Sequence, residues 1–241
     1  MGMSGPKRPK KPKKLKRVNS CMLFDGNDDD TIIPINSTAW PSTGDFSICF
    51  WAAPVNGSDV DWYFSQAAGK STAMTFQHDY QNKFRFRITD GLSNPVDLQT
   101  AAMSRLTNNQ WYHFAIVVDK SSASSSKIYL DGSPLTMDTQ AVHGSADINI
   151  NNDLYIARNT ATSQASGSKA MKCADFAIFS EAIPGKLVNK MHRSRCRLDL
   201  TRGKFSKELV CYYRPGISNS DFSGNLGDLT VSGATTGPGH P

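Results

Sequence analysis

The stretch "QWYHFAIVVDKSSASSSKIYLDGSPL", residues 110–135, decides the fold class. Its first part is apolar almost throughout, which predicts a central strand that is covered on both faces. A serine-rich loop follows, and Asp131-Gly132 then stands between apolar flanks, which is a strong signal for a β-hairpin turn. Adjacent strands joined by so tight a turn predict an antiparallel sheet.

A second strand type lies upstream, in "KFRFRITDG", residues 83–91. Its apolar and polar side chains alternate, with Phe84, Phe86 and Ile88 on one face and Arg85, Arg87 and Thr89 on the other. Such alternation is typical of an antiparallel strand with one face in the core and one in solvent.

Further short strands are predicted every 10 to 20 residues: "SCMLFDG" (20–26), "DFSICFWAAP" (45–54), "DLYIAR" (153–158), "CADFAIFS" (173–180), "KELVCYYRP" (207–215) and "GDLTVSGA" (227–234). Only "PGKLVNKMHRS", residues 184–194, favours a helix, because Leu187, Val188 and Met191 share one helical face. The fold class predicted is all-β, a two-sheet antiparallel β-sandwich with one short helix.

Charge is distributed very unevenly along the chain. Residues 21–185 hold 10 basic and 17 acidic residues, whereas residues 186–207 hold 8 basic residues and a single acid, Asp199. The N-terminal segment contains eight basic residues and no acid: Lys7, Arg8, Lys10, Lys11, Lys13, Lys14, Lys16 and Arg17. Like-charge blocks at a terminus are usually interaction tails, and three prolines favour an extended chain here.

These patterns predict three regions: a flexible basic arm over residues 1–20, a sandwich over 21–235 and a loose tail over 236–241. We expect neither a secretory signal peptide nor a transmembrane segment, because no apolar run of the required length follows the basic residues or occurs elsewhere. Five cysteines with long spacings and no CxxC pair are expected to be free, mostly buried thiols.

Four partners remain open for the arm. It can contact phosphates of a nucleic acid, with strong salt dependence. It matches a nuclear import signal, it can lie on an anionic membrane, and it can dock on an acidic protein surface, including the acidic body of another copy. It holds no aromatic residue, so base-specific readout is not supported.

The order of motifs resembles a known family. A strand ending in Asp-Gly (23–26) leads to "DFSICFWAAP", then "NNQWYHFAIVVD" (108–119), "KIYLDGSPL" (127–135), and "ADFAIFSEAIPGKLVNKMH" (174–192). This order resembles the laminin-G-like branch of the concanavalin A-like lectin and glucanase superfamily over about residues 20–235. The resemblance implies a jelly-roll sandwich with one concave sheet, and the arm has no counterpart in the family.

The turn "DGNDDD" (25–30) is the candidate metal site. Asp25, Asn27, Asp28 and Asp29 supply the hard oxygen ligands that Ca²⁺ prefers, although they do not form an EF-hand. Members of the family often hold calcium at a sandwich rim. The alternative is a solvated acidic turn without an ion, and no other cofactor is expected.

Aromatic residues expected in or near loops are the candidate glycan contacts: Trp62, Tyr63, His78 and Tyr80. Lectin-like sandwiches use exposed aromatics together with Asn and Asp. The competing explanation is that these rings are half-buried loop residues without a ligand. Trp51 and Trp111 fall in predicted strands and are expected in the core.

Catalysis is not expected. Hydrolases of the superfamily need paired carboxylates, and the chain has only two glutamates, Glu181 and Glu208, with no E-x-D-x-x-E motif. The combination of arm and sandwich favours a virion structural protein, such as a capsid, minor capsid or decoration subunit, whose partners are other subunits and whose lectin-like face can bind a glycan. The alternatives are a carbohydrate-binding adhesive module held on a polyanion and an intracellular scaffold in the cytoplasm or nucleus.

Overall fold

The structure is a computed structural model, which describes residues 20–35, 44–55, 61–66, 73–89, 95–143, 153–158 and 169–238. The basic arm, apart from Ser20, lies outside the described residues. Its predicted contacts therefore stay predictions.

The strands of the described residues are, in chain order, β1 (Ser20–Phe24), β2 (Asp30–Ile33), β3 (Phe46–Pro54), β4 (Asp61–Gln66), β5 (Ala73–His78), β6 (Phe84–Thr89), β7 (Val96–Thr100), β8 (Tyr112–Val118), β9 (Lys127–Leu130), β10 (Ser133–Pro134), β11 (Met137–Val142), β12 (Leu154–Ile156), β13 (Met171–Phe179), β14 (Leu209–Tyr213), β15 (Thr230–Ser232) and β16 (Thr235–Pro238). The helix α1 spans Gly185–Ser194.

Two antiparallel sheets are formed by these strands. The first sheet has the order β10-β9-β8-β3-β13-β1-β16, with β14 also paired to β13. The second sheet has the order β11-β7-β6-β5-β4-β12-β2-β15. The predicted two-sheet sandwich is confirmed.

An aromatic core fills the space between the sheets. Phe50 of the first sheet lies at its centre, with ring-centroid distances of 5.1 Å to Phe114 and 5.8 Å to Phe176. Phe64 and Phe76 of the second sheet meet the same ring at 5.8 and 5.9 Å. Such aromatic contacts stabilise the fold in addition to the stabilisation that comes from burying apolar area.

The outer faces of the two sheets differ, which explains the two strand types of the sequence. α1 buries Leu187, Val188 and Met191 against the outer face of the first sheet, so β8 is buried at every position. The second sheet carries no such cover among the described residues, and β6 accordingly alternates buried and half-buried residues. Both strand predictions and the helix prediction are confirmed.

The turn between β9 and β10 has the backbone conformation that its sequence predicts. Asp131 and Gly132 have φ values of 50° and 79°. Positive φ at both central residues is typical of a type I′ hairpin. The Asp131 carboxylate also accepts a 2.8 Å hydrogen bond from the backbone N–H of His113, which ties the turn to β8.

One boundary prediction is wrong. Residues 236–238 are not a loose tail, since they belong to β16, which pairs with β1 from Ser20 to Leu23. The sequence of β16, Thr-Thr-Gly-Pro, has no apolar periodicity, and the strand forms because β1 offers an edge with which it can pair.

The five cysteines are free and buried, as predicted, and burial raises the pKa of each thiol. No helix in the described ranges is both long and apolar enough to cross a membrane.

Candidate functional site

The outer side of the second sheet is an open polar surface beside the aromatic core. We call it the open face and define it by the half-buried outward residues of β4 to β7 and β12: Trp62, Thr75, Gln77, Arg85, Arg87, Asp97, Gln99 and Tyr155. Their neighbours along each strand point inward to the core. The alternation of period two therefore positions every side chain of this face.

A first row of side chains crosses the open face near one end of the sandwich. Trp62 on β4 is paired with Gln77 on β5, Gln77 with Arg85 on β6, and Arg85 with Gln99 on β7. Paired residues of antiparallel strands have side chains on the same face at close spacing. One indole ring, two amides and one guanidinium thus line a single row.

A second row runs parallel to the first. Thr75 on β5 is paired with Arg87 on β6, and Arg87 with Asp97 on β7. On the other side, Tyr155 of β12 is paired with Ser65 of β4, which precedes Thr75 in the same row. This row adds a phenol ring, a hydroxyl and a second guanidinium to the face.

The charges of the two rows do not cancel. Arg85 donates two hydrogen bonds to Asp97, at 2.9 Å from Nε and 2.5 Å from Nη2. Arg87 Nε lies 3.8 Å from the same carboxylate and has no hydrogen-bond partner. Burial and the neighbouring Arg85 lower the pKa of Arg87, and the charge of Asp97 opposes that shift. Two cations thus share one carboxylate, and this part of the open face keeps a net positive charge.

The acidic loop, Asp25 to Asp29, is a second candidate feature. Carboxylate oxygens of Asp25, Asp28 and Asp29 all lie within 4.8 Å of one another. Asn27 donates hydrogen bonds to Asp25 from its backbone and side-chain nitrogens, so the structure shows it positioning that carboxylate. The donor set fits a hard cation such as Ca²⁺, and a ligand role for Asn27 stays a prediction.

The electrostatics of the acidic loop also suit a cation. Burial and the charges of Asp25 and Asp28 raise the pKa of Asp29. The hydrogen bonds from Asn27 lower the pKa of Asp25. An added cation would relieve the mutual repulsion of the three carboxylates.

The register places the acidic loop and the open face's first row at the same end of the sandwich. Ile156 is paired with Thr31 of β2 and with Phe64 of β4. The residues that precede Thr31 and Phe64 therefore extend toward one end, where the acidic loop and Trp62 lie. Tyr80, in the turn after β5, belongs to this end and is 72% exposed.

Two of the predicted glycan contacts are buried. Tyr63 and His78 are 2% and 3% exposed, so their expected place in accessible loops is wrong. Tyr63 packs at 4.8 Å from Phe114 between ring centroids, and His78 packs at 4.8 Å from Phe84. Trp62 also lies in a strand, but it points outward and is half-buried. A β-bulge between Trp62 and Phe64 lets two successive residues, Tyr63 and Phe64, both face the core.

The two glutamates of the chain lie away from the open face. Glu208 accepts hydrogen bonds from Ser180, which follows β13 of the first sheet, and Glu181 is the next residue along the chain. Burial and Glu208 together raise the pKa of Glu181. On the open face, Asp97 is the carboxylate, and it is held by Arg85.

A sandwich with one covered and one open polar sheet is the architecture of lectin-type proteins. The chain belongs to the concanavalin A-like lectin/glucanases superfamily, whose laminin-G-type family model matches residues 25–188. This confirms the family resemblance of the motif order. None of the curated protein sequences matches the chain significantly.

Solved structures share the fold at low sequence identity. A heptameric SAP-like pentraxin from Limulus polyphemus has a TM-score of 0.62 and 14% identity, over 92% of this chain and 96% of the pentraxin chain. A sialidase from Trypanosoma rangeli has a TM-score of 0.54 and 13% identity, over 75% of this chain and 29% of the sialidase. The binding domain of botulinum neurotoxin DC, solved with SialylT, has a TM-score of 0.53 and 17% identity, over 73% of this chain and 42% of that one. These likenesses establish the fold.

Proposed function

We propose that this protein is a non-catalytic carbohydrate-recognition protein that binds a glycan on the open face. The observation that carries the proposal is the pair of cross-strand rows, in which outward polar side chains stand beside the half-buried Trp62. The lectin-type fold supports it, as does the botulinum neurotoxin binding domain of the same fold, which was solved in complex with SialylT.

Each type of side chain on the face has a role in this proposal. The amides of Gln77 and Gln99 hydrogen-bond sugar hydroxyls, since an amide both donates and accepts. Trp62 offers an apolar ring surface to the C–H face of a sugar. Arg87, whose side chain is 33% exposed and shares Asp97 with Arg85, binds a carboxylate or sulfate through its guanidinium. Acidic glycans are therefore the preferred ligands.

Calcium is the proposed cofactor of the acidic loop. Asp25, Asp28 and Asp29 would hold the ion, which supplies positive charge and fixes the loop next to the end of the first row. This chain holds two of the three carboxylates in place by hydrogen bonds: Asp29 accepts one from the backbone N–H of Asp25, and Asp25 accepts two from Asn27.

Glycan-array binding tests the proposal, followed by titration of the best ligand. Trp62→Ala and Arg87→Gln should each weaken binding about tenfold or more, the effect of losing one charged or well-packed contact. Phe222→Ala is the matched control, because Phe222 is 44% exposed and belongs to another surface. No binding to any glycan, or equal affinity of all three variants, would contradict the assignment to this face.

We further propose a virion as the setting, with the protein as a capsid, minor capsid or decoration subunit anchored by its arm. The supporting observation is the charge segregation of the sequence: eight cations in residues 7–17 precede a body, residues 21–185, with 10 basic and 17 acidic residues. An arm of one copy can bind the acidic body of the next, or a nucleic acid.

Light scattering with the 260/280 nm absorbance ratio tests this setting. Large uniform particles that disappear when the chain starts at Asn19 would support subunit assembly through the arm. A raised 260/280 nm ratio would indicate that the arm binds nucleic acid. A monomer with a protein-like ratio would rule out a self-assembling shell. Arm-dependent nuclear entry would instead support the scaffold alternative.

A further inference from the structure

A pocket lies on the opposite side of the sandwich from the open face. Its volume is about 370 Å³, within the usual range for small-molecule sites. One wall is α1, and the other is the segment 198–205, which passes over the outer face of the first sheet. The residues that form this basic pocket's polar rim are Lys186, Lys190, Asp199, Arg202 and Lys204.

The bottom of the basic pocket is apolar. Leu187 and Leu200 are buried in the cluster that joins α1 to the first sheet. Leu198 and Phe205 pack against that cluster but keep part of their surface, and Pro184 completes the lining. An apolar cleft that opens between charged side chains suits a ligand with an apolar body.

The rim of the pocket is strongly positive. Arg202 is paired with Asp199, at 3.0 Å between Nε and Oδ2. Lys186 and Lys190 are exposed on α1 one turn apart, and no acidic side chain pairs with them in the part of the chain that the structure describes. Lys204 Nζ lies 5.5 Å from the ring centroid of Phe205. A cationic rim over an apolar floor therefore requires an anionic and apolar ligand.

We propose that this pocket binds a single-chain anionic amphiphile, with the acidic headgroup on Lys186 and Lys190 and the apolar chain against Leu198 and Phe205. Charge complementarity selects the headgroup, because three cations of the rim are left after the Asp199–Arg202 pair. The cleft volume of about 370 Å³ has room for one apolar chain. The site is independent of glycan binding on the open face.

Calorimetric titration with decyl phosphate, kept below its micelle concentration, tests the proposal on the full-length protein. We expect one site per chain. Inorganic phosphate and decyl maltoside should each bind at least about tenfold more weakly, since each provides only half of the interactions.

Matched variants assign the two halves of the site. The double substitution Lys186→Gln with Lys190→Gln should weaken decyl phosphate about tenfold or more. Its control, Arg193→Gln with Arg197→Gln, removes the same charge from exposed residues outside the pocket and should leave affinity within about twofold. Phe205→Ala should also weaken binding, and Phe222→Ala should not.

Every other outcome reassigns the surface and overturns the proposal. If decyl maltoside bound as tightly as decyl phosphate, the pocket would be an apolar cleft without selectivity for anions. If inorganic phosphate bound as tightly as decyl phosphate, the pocket would be an anion site without an apolar subsite. Binding only to phosphatidylserine vesicles would indicate a membrane surface. Displacement of decyl phosphate by an acidic, leucine-rich peptide of higher affinity would indicate a protein partner. Trp62→Ala leaves this titration unchanged, so failure here and failure on the open face are distinguishable.

Discussion

Asp175 and Arg214 form a buried ion pair, with 3.0 Å between Oδ1 and Nε. Asp175 stands at a bulge of β13 with a φ of 45°, a conformation that costs a non-glycine residue energy. Arg214 also donates a 2.8 Å hydrogen bond to the carbonyl of Cys196, just beyond α1. The pair thereby joins β13, the end of β14 and the chain that leaves α1.

The first prediction concerns this pair and pH. Burial raises the pKa of Asp175 to about 6, against the lowering effect of Arg214. The folded chain therefore holds more protons than the unfolded chain between about pH 4 and pH 6, so this group adds stability as pH falls through 6 and loses it as pH rises. Asp175→Asn should remove up to ~3 kcal/mol of that pH dependence. Urea unfolding from pH 4 to pH 7 measures it, and identical curves for both proteins would disprove it.

The second prediction has the opposite sign. Burial, and the nearby charge of His192, lower the pKa of His113 to about 3. His113 packs against both Trp51 and His192, at 5.1 and 6.2 Å between ring centroids. The neutral ring contributes stability that is present above pH 6.5 and lost as pH falls toward 3, about 2 kcal/mol by pH 5.

His113→Gln should therefore flatten the loss of stability between pH 6.5 and pH 5. The same urea series measures the effect, and His143→Gln is the control, because His143 is exposed. A wild-type loss that persists unchanged in His113→Gln would place the responsible titration elsewhere.

The third prediction concerns the aromatic core. Phe50→Ala should lower the free energy of unfolding by about 3 to 5 kcal/mol, because Phe50 contacts rings from both sheets. Phe222→Ala, at a 44% exposed ring, should cost less than about 1 kcal/mol. Equal costs would place Phe50 outside the close-packed centre.

The fourth prediction tests calcium at the acidic loop. Saturating Ca²⁺ should stabilise the chain, by about 2.7 kcal/mol at a hundredfold excess over the dissociation constant. Asp28→Asn should reduce the gain, whereas Asp228→Asn, at another exposed carboxylate, should not. Thermal unfolding with Ca²⁺ and after chelation measures the difference. An unchanged melting temperature in the wild type would leave the loop as a solvated acidic turn.

The fifth prediction concerns Gly233, which lies between β15 and β16 and packs against Asp29 of the acidic loop. Gly233 has a φ of 71°, and a Cβ placed there would lie 2.2 Å from Asp29 Oδ1. Gly233→Ala should displace that carboxylate and abolish any stabilisation by Ca²⁺. Gly203→Ala is the control, because its φ of 96° carries a similar strain with no atom within 4 Å. If Ca²⁺ stabilised the two variants equally, the close approach of Gly233 to Asp29 would play no part in Ca²⁺ binding.

The candidate site was only partly predictable from the sequence. The outward direction of Arg85 and Arg87 follows from the alternation of β6, and the structure confirms it. Their partners do not follow, since Asp97 and Trp62 lie on other strands. The assignment of Tyr63 to an accessible loop failed because Tyr63 lies within β4 and faces the core.

What the sequence determined by itself is the local pattern: an almost wholly apolar β8, an alternating β6, the Asp131-Gly132 turn and the buried stripe of α1. These depend on periodicity and turn chemistry among residues close together in the chain. Only the tertiary structure decided that β16 pairs with β1, that two rows of side chains cross the open face, and that α1 and segment 198–205 enclose a basic pocket. The physical reason is that such neighbours are brought together by strand register and layer packing, which no local stretch encodes.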